Sequence, residues 1–221
     1  RGAKEAEGGY LAFLDADDLV TPDYYQKAVD VLAQYDNVHF VGCWAQYFED
    51  STDVWLTFNP EPPIILHFNT VNSSGLVYKR QAFITAGVND TAMPFAGMED
   101  YDSVVGMLEK GYRGVCLPEP LFKYRVRRNS MIRGINPAKK LELVNGIAQK
   151  HKAFYATFAP GLLALANANG PGLKLDNPTL DYHLMEKFPV GGKWAWRLAK
   201  AIKKNPTVKK TLYRLYKTIK K

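Results

Sequence analysis

Residues 10–18 read YLAFLDADD, five mostly apolar residues followed by three carboxylates within four positions. The apolar part predicts a buried strand over residues 10–14. A strand that ends in acidic residues directs their oxygens into the crevice at the carboxyl edge of an α/β sheet, where such folds bind ligands. Because adjacent carboxylates repel each other, the segment favours a bound cation, and hard oxygen ligands favour Mg²⁺ or Mn²⁺. An equally open alternative at this point is a solvated loop whose Asp15 caps the next helix.

Strand and helix patterns alternate along the N-terminal half of the chain. Runs of β-branched and aromatic residues predict strands at residues 38–48, 54–58, 76–78, 112–117 and 122–126. Helices are predicted at residues 22–35, 80–86 and 99–111, the first with Thr21 as its N-cap and Pro22 as its first helical residue. This alternation predicts an α/β fold with a mixed sheet and flanking helices.

Beyond Asn136 the pattern changes to helix. One long helix is predicted over residues 137–158, and a segment rich in Gly, Asn and Pro follows over residues 167–178. The last 30 residues form two short amphipathic helical patterns. We therefore predict three regions: a partial α/β domain at residues 1–135, a helical extension at residues 136–191, and a basic amphipathic tail at residues 192–221.

The positive charge of the chain is concentrated in this tail. The net charge is +7, yet residues 192–221 hold 11 of the 29 Lys and Arg residues and no Asp or Glu. Residues 1–191 are slightly acidic, with 18 basic and 22 acidic side chains. A basic tail with Trp194 and Trp196 fits an interfacial anchor at residues 193–221 on anionic lipid, and a helical hairpin packed on the body fits equally well. Nucleic acid is not an expected partner, because no basic-aromatic motif lies outside the tail.

The remaining composition favours a cytoplasmic protein. Cys43 and Cys116 lie in apolar strand patterns, which predicts two buried, reduced thiols. The histidines show no metal-ligand spacing, and no apolar run approaches the ~20 residues of a transmembrane helix. Together with the basic tail, these features predict a location in the cytoplasm or at the inner face of the cell membrane.

Three motifs, taken in order, resemble family 2 glycosyltransferases of the GT-A fold. They are the Asp-Ala-Asp-Asp of residues 15–18, the Glu-Asp-Tyr-Asp of residues 99–102 at a helix start, and the Tyr-Arg-Val of residues 124–126. The similarity extends from about Gly2 to Met131. It implies a GT-A-like mixed sheet with flanking helices, followed by a helical C-terminal region.

The resemblance implies roles for five carboxylates. Asp15 and Asp17 look like the pair that contacts the donor's ribose and holds Mg²⁺ or Mn²⁺ on its diphosphate, with Asp18 assisting. The metal supplies Lewis-acid chemistry when the glycosidic bond breaks. Asp100 resembles the general base that takes the proton of the acceptor hydroxyl, and Glu99 the residue that positions the acceptor. The alternative for Glu99 and Asp100 is that first-turn acids complement the helix dipole.

One departure from the family concerns the basic residues after the last strand. Many members carry a histidine at the position of Arg127. Arginine cannot ligate a cation, but it binds phosphate bidentately. Arg125 and Arg127 are therefore predicted to bind the diphosphate of the donor.

A second departure concerns the start of the chain, which begins at Arg1. Family members begin with a strand-loop-helix segment that holds the nucleotide base, and on the order of 80 such residues are absent here. The resemblance therefore implies a fragment that is incomplete for activity.

The function implied is a metal-dependent inverting glycosyltransferase. It would move a sugar from a nucleotide-sugar donor, most commonly a UDP-sugar, to a saccharide or lipid-linked acceptor in cell-surface polysaccharide synthesis. The alternative is a non-catalytic, glycosyltransferase-like binding module with a truncated donor site. A glycoside hydrolase also uses two carboxylates, but an acidic strand end opposite a Glu-Asp helix start suits a metal-diphosphate site better.

Two further features remain ambiguous from sequence. Trp44, Tyr47 and Trp55 could stack on a sugar, although aromatic residues in strands belong more often to the core. Residues 72–75, Asn-Ser-Ser-Gly, lie where the family's acceptor loop tends to be, and a plain turn is equally compatible.

Overall fold

A six-stranded mixed sheet forms the centre of the computed structural model, which describes residues 2–86, 88–94, 96–127 and 135–168. Its strands are β1 (Tyr10–Ala12), β2 (Leu19–Val20), β3 (Phe40–Glu49), β4 (Val54–Trp55), β5 (Val77–Lys79) and β6 (Gly114–Val126). The order across the sheet is β1-β5-β3-β6-β2, and β4 pairs with β3 outside this path. β3 and β6 run parallel, whereas the other pairs are antiparallel.

Helices cover both faces of this sheet. They are α1 (Gly2–Glu5), α2 (Tyr24–Gln34), α3 (Ile64–His67), α4 (Arg80–Ala86), α5 (Glu99–Glu109), α6 (Pro137–Lys150), α7 (Lys152–Thr157) and α8 (Ala159–Ala168), with a 3₁₀ turn at Ser73–Gly75. Because successive strand residues point to opposite faces, Phe40 joins the core under α4, α5 and α6 while Val41 joins the core under α2. The predicted α/β class, with a mixed sheet and flanking helices, is confirmed.

The prediction of a buried first strand is wrong. β1 ends at Ala12 and lies at one end of the sheet, where it pairs with β5 alone among the described strands. Leu11 is its one buried residue, and the side chain of Tyr10 is 37 % exposed. An edge strand has a single neighbour, so its apolar side chains are covered less completely than those of a central strand.

The two strands predicted around residues 118–121 form one strand with an irregularity. Cys43 of β3 pairs with Leu117 of β6, but Ala45, two residues later, pairs with Phe122. Residues 118–121, Pro-Glu-Pro-Leu, therefore bulge out of the ladder. A proline has no N–H to donate to a neighbouring strand, which accounts for the interruption.

Two predicted helix boundaries also differ in the structure. α2 has Asp23 as its N-cap, since the N–H of Thr21 donates to the carbonyl of Leu121 at 2.8 Å and holds Thr21 beside β6. The single helix predicted over residues 137–158 is divided at His151 into α6 and α7. The imidazole of His151 bonds to carboxylates of α5, which fixes this residue between the two helices.

Both cysteines are free thiols, with Cys43 buried and Cys116 partly buried. Within the described ranges, no helix combines the length and the apolar character that crossing a bilayer requires. Residues 169–221 lie outside the described ranges, so the predicted tail at residues 192–221 and most of the predicted linker stay predictions.

Candidate active site

A cleft with a volume of about 450 Å³ lies between the turn that follows β1, the start of α5 and the inner face of α6. Asp15, Glu99 and Asp100 all line it. Aromatic side chains form much of the remaining wall, namely Phe13, Tyr47, Trp55, Phe68, Tyr124 and Tyr155. The fold thus brings acidic groups from two distant segments to one concave surface with stacking surfaces beside them.

Residues 15–18 form a tight turn between β1 and β2. The N–H of Asp18 donates to the carbonyl of Asp15 at 3.1 Å and closes it. The carboxylate of Asp18 is 5 % exposed and accepts the backbone N–H of Arg125 at 2.8 Å, which ties the turn to β6. Asp15 and Asp17 are left exposed on the outer side of the turn. The solvated-loop alternative, with Asp15 as a helix cap, does not apply because Asp23 occupies that position.

The pKa values of two acids in this turn are raised. Burial raises the pKa of Asp18 to about 6, the N–H of Arg125 opposes the shift, and the charges of Asp17 and Asp15 add to it. The pKa of Asp15 is raised by burial and by the charges of Asp17 and Glu99. The carboxylates of the turn and of the α5 start are therefore close enough to repel one another.

The donor chemistry of Asp15 and Asp17 fits a divalent cation. Mg²⁺ is commonly held by one or two carboxylates together with substrate phosphates, and these two exposed oxygen donors repel each other as such ligands do before a cation binds. Among the described residues, no group of three or more His, Cys, Asp or Glu side chains is arranged to hold a metal. A cation here would accordingly need oxygen atoms from a bound ligand as well.

Glu99 and Asp100 occupy the first turn of α5. Gly97 and Met98 precede them with φ values of 117° and 67°, and this left-handed backbone lets the chain turn sharply into the helix. A carboxylate oxygen of Glu99 accepts the N–H of Gly97 at 2.8 Å, which satisfies one donor near the helix start. Both side chains are partly buried at the cleft wall.

Both carboxylate oxygens of Asp100 are hydrogen-bonded. Oδ2 accepts the hydroxyl of Ser73 at 2.8 Å, and Oδ1 accepts the backbone N–H of Tyr101 at 2.8 Å. Burial raises the pKa of Asp100, and the charge of Glu99 adds to that effect, while the two hydrogen bonds oppose it. A carboxylate with a raised pKa is a better proton acceptor at neutral pH.

The two predicted phosphate-binding arginines are engaged with Glu49 at the end of β3. Arg125 forms an ion pair with Glu49, stacks over the ring of Phe48 at 4.5 Å, and donates from Nε to the carbonyl of Asp17 at 2.6 Å. Arg127 forms an ion pair with Glu49 at 3.1 Å. In this arrangement Arg125 holds the turn of residues 15–18 in place. The predicted contact of both arginines with a diphosphate stays a prediction.

Sequence reasoning missed several contributors to the cleft. Lys140, Val144 and Ile147 reach it from α6, and no local pattern connects them with the acidic motifs. Of the aromatic candidates, Tyr47 and Trp55 line the cleft, whereas the indole N–H of Trp44 donates to the carbonyl of Thr57 at 3.2 Å.

The opposite face of α5 carries a second polar cluster, formed by Asp102, Glu109, Lys150 and His151. Asp102 accepts from Lys150 at 2.6 Å and contacts the imidazole of His151 at 3.1 Å. The other imidazole nitrogen contacts Glu109 at 2.6 Å. Burial alone would raise the pKa of Asp102, but His151 and Lys150 outweigh it and lower that pKa. This cluster joins α5 to the end of α6, two elements that line the cleft.

Comparisons with known proteins point in one direction. The sequence profile described as Glycosyl transferase family 2 matches residues 1–98. An uncharacterized glycosyltransferase of Haemophilus influenzae is 28% identical over 128 residues, which cover 54% of this chain and 43% of that protein.

Two solved structures share part of the backbone arrangement. TarS residues 1–349 from S. aureus, in complex with UDP, has a TM-score of 0.45 and 14% identity, over 78% of this chain and 53% of that one. Mannosyltransferase PcManGT from Pyrobaculum calidifontis, in complex with GDP-Man and Mn²⁺, has a TM-score of 0.45 and 18% identity, over 95% and 59%. The chain therefore spans about half the length of the proteins that it matches.

Proposed function

Because residues 1–98 belong to glycosyltransferase family 2, we propose that the protein is a metal-dependent, inverting glycosyltransferase. It would transfer a sugar from a nucleotide-sugar donor to a saccharide or lipid-linked acceptor, in the synthesis of a cell-surface polysaccharide. The observation that carries the proposal is the single cleft lined by Asp15, Glu99 and Asp100, acids that lie more than 80 residues apart in the sequence.

In the proposed reaction Asp100 is the general base. Its carboxylate takes the proton of an acceptor hydroxyl while that oxygen forms a bond to the anomeric carbon of the donor. The bond between this carbon and the diphosphate oxygen breaks, and the nucleoside diphosphate leaves with the electron pair. One displacement inverts the configuration at the anomeric carbon. The raised pKa of Asp100 supports this role because it strengthens the base.

Asp15 and Asp17 are the residues that would hold Mg²⁺ or Mn²⁺ on the donor. A cation bound there would neutralise charge on the departing diphosphate. The mutual repulsion of the acids supports this assignment, since a cation removes it. Glu99 is proposed to position the acceptor, and Asp18 to hold the turn so that Asp15 and Asp17 face the donor.

Arg125 and Arg127 are proposed to bind the diphosphate. Arg127, which is more exposed than Arg125, would exchange part of its pairing with Glu49 for phosphate oxygens. We expect Arg127→Ala to weaken donor binding by about tenfold, the effect of one charge-assisted hydrogen bond. Lys123→Ala, which removes an exposed cation from the same strand, serves as the control. Equal donor affinities for both variants would remove Arg127 from the site.

The decisive experiment measures release of nucleoside diphosphate from a panel of UDP- and GDP-sugars, with and without Mn²⁺ and saccharide acceptors. It is run on the chain and, in parallel, on the product of the complete gene. Cation-dependent release that Asp15→Asn and Asp100→Asn both abolish supports the proposal, and NMR of the product's anomeric proton tests inversion. Donor binding without release in both proteins would favour the non-catalytic binding module.

We also propose a cytoplasmic protein held at the inner membrane face by residues 193–221. The 11 basic residues and the absence of acids at residues 192–221 support this location. Sedimentation with anionic but not neutral vesicles, lost when residues 193–221 are deleted, is the expected result. No sedimentation with either kind of vesicle would contradict it.

A further inference from the structure

We propose that Ser73 is a positioning residue that orients the carboxylate of Asp100 toward the acceptor and favours its charged form. This inference rests on the proposed function for the role of Asp100, but the contact itself is a property of the structure. Ser73 lies in the 3₁₀ turn between α3 and β5, 27 residues before Asp100 in the sequence.

The hydroxyl of Ser73 has its donor direction constrained. A serine hydroxyl has one proton to donate. Its oxygen already accepts the side-chain amide of Asn69 at 3.3 Å, and Asn69 is itself anchored by the N–H of Val71 at 3.1 Å. The proton is therefore free to point to Oδ2 of Asp100, 2.8 Å away.

The turn that carries Ser73 is held in place by the core. The hydroxyl of Tyr24 donates to the carbonyl of Gly75 at 2.5 Å, and the hydroxyl of Tyr78 donates to the carbonyl of Ser73 at 3.4 Å. A Cβ at Gly75 would lie 2.6 Å from the ring of Phe122, so the turn packs directly against the sheet. Ser73 thus offers its hydroxyl from a rigid support.

Two hydrogen bonds from different elements determine the orientation of the Asp100 carboxylate. Tyr101 holds Oδ1 from within α5, and Ser73 holds Oδ2 from across the cleft wall. Each carboxylate oxygen can accept more than one hydrogen bond. The remaining capacity is therefore available for an acceptor hydroxyl at the cleft surface.

Ser73 also affects the protonation of Asp100. Burial raises the pKa of Asp100, and the hydrogen bond from Ser73 is the leading opposing influence. Without the hydroxyl, the neutral acid becomes more favourable, and the pH at which the base is available moves upward.

The test compares Ser73→Ala with Ser103→Ala in the full protein. Both serines are 5 % exposed, and Ser103 donates to Asn89 and to the carbonyl of Glu99 rather than to the Asp100 carboxylate. We expect Ser73→Ala to move the acid limb of the kcat profile to higher pH and to lower kcat about tenfold on that limb, the effect of one hydrogen bond. KM for the donor should change little, and Ser73→Thr, which keeps a hydroxyl, should restore the profile.

A second measurement does not require activity. Carboxyl ¹³C NMR titration, with Asp100→Asn to assign the signal, reports the pKa of Asp100 directly. An upward shift in Ser73→Ala and none in Ser103→Ala supports the proposal. An unchanged Asp100 titration, or the same shift in both variants, overturns it. A parent protein that transfers no sugar while the titration shifts as expected would contradict the proposed function and leave the role of Ser73 intact.

Discussion

Asp100 and Asp102 are two positions apart on α5, and their surroundings could hardly differ more. Asp100 faces the cleft, where it receives neutral hydrogen bonds from Ser73 and Tyr101. Asp102 faces the junction with α6, where Lys150 and His151 contact it. The pKa of Asp100 is raised and that of Asp102 is lowered.

The comparison shows what distinguishes a reactive carboxylate from a structural one. Two positions on a helix are separated by about 200° around its axis, so the two side chains meet different neighbours. Burial disfavours the charge of both. Cationic partners compensate for burial at Asp102, but at Asp100 no cation is among the groups that shift its pKa. Asp100 therefore keeps the affinity for a proton that a general base requires.

The largest expected effect comes from Asp100→Asn. An amide of the same shape cannot accept a proton, so we expect the transfer rate to fall by about 10²–10⁴-fold. The free energy of unfolding should change little, because the amide oxygen can still accept the hydrogen bond from Ser73. Steady-state transfer assays and thermal unfolding check the two parts. A variant that is inactive only because it is unfolded would contradict the distinction between the two acids.

Asp102→Asn should give the converse result. Its amide group would place an N–H donor against Lys150 or His151, so we expect the free energy of unfolding to fall by about 2 kcal/mol. The transfer rate of the folded protein should stay within a few-fold of the parent. Urea unfolding, with activity measured on the folded fraction, tests this pair of outcomes. Loss of activity at unchanged stability would move Asp102 into the catalytic machinery.

The contribution of His151 should depend on pH. Burial would lower the pKa of His151, but Asp102 and Glu109 outweigh it and raise that pKa. The stabilisation is therefore complete below the ordinary value of 6.5 and is lost as pH rises through the raised pKa. The contribution of Asp102, whose pKa is lowered, is present above its ordinary value of 3.8 and is lost as pH falls through the lowered pKa.

We accordingly expect His151→Gln to cost about 1–2 kcal/mol of unfolding free energy near pH 5 and progressively less toward about pH 9. Parallel urea titrations of the parent and the variant across this range provide the measurement. A difference that grows with rising pH would contradict a charged His151 between two carboxylates.

The smallest expected effect is that of Asp90→Asn. Asp90 and Asp102 share Lys150 as a partner, at 2.8 Å and 2.6 Å, but the side chain of Asp90 is 28% exposed and that of Asp102 is 2% exposed. We expect Asp90→Asn to lower the free energy of unfolding by about 0.5 kcal/mol, as for an ion pair open to solvent. Equal losses from Asp90→Asn and Asp102→Asn would show that burial does not set the strength of this cluster.

Much of the fold could be predicted from periodicity and punctuation. The helix at residues 80–86 has the predicted bounds, and α5 begins at Glu99 as expected. The errors concern positions where a distant segment intervenes. Thr21 is held beside β6 by Leu121, and so it does not cap α2. The helix predicted over residues 137–158 is divided at His151, whose imidazole binds acids of α5.

The candidate site was predictable in part for the same reason. The order of the acidic motifs predicted that Asp15, Glu99 and Asp100 matter together, and all three line one cleft. The sequence did not distinguish Asp18 from its neighbours, although its carboxylate is buried against the N–H of Arg125. It also did not indicate the engagement of Arg125 and Arg127 with Glu49.

The amino-acid sequence alone was sufficient for the α/β class, the family resemblance and the identity of the acidic residues, because local hydrophobic periodicity and short motifs carry that information. The surroundings of each acid depend on which side chains the fold brings against it. Ser73 reaches Asp100 across 27 residues and His151 reaches Asp102 across 49. Burial and these long-range hydrogen bonds separate the protonation of two acids that the sequence places side by side on one helix turn.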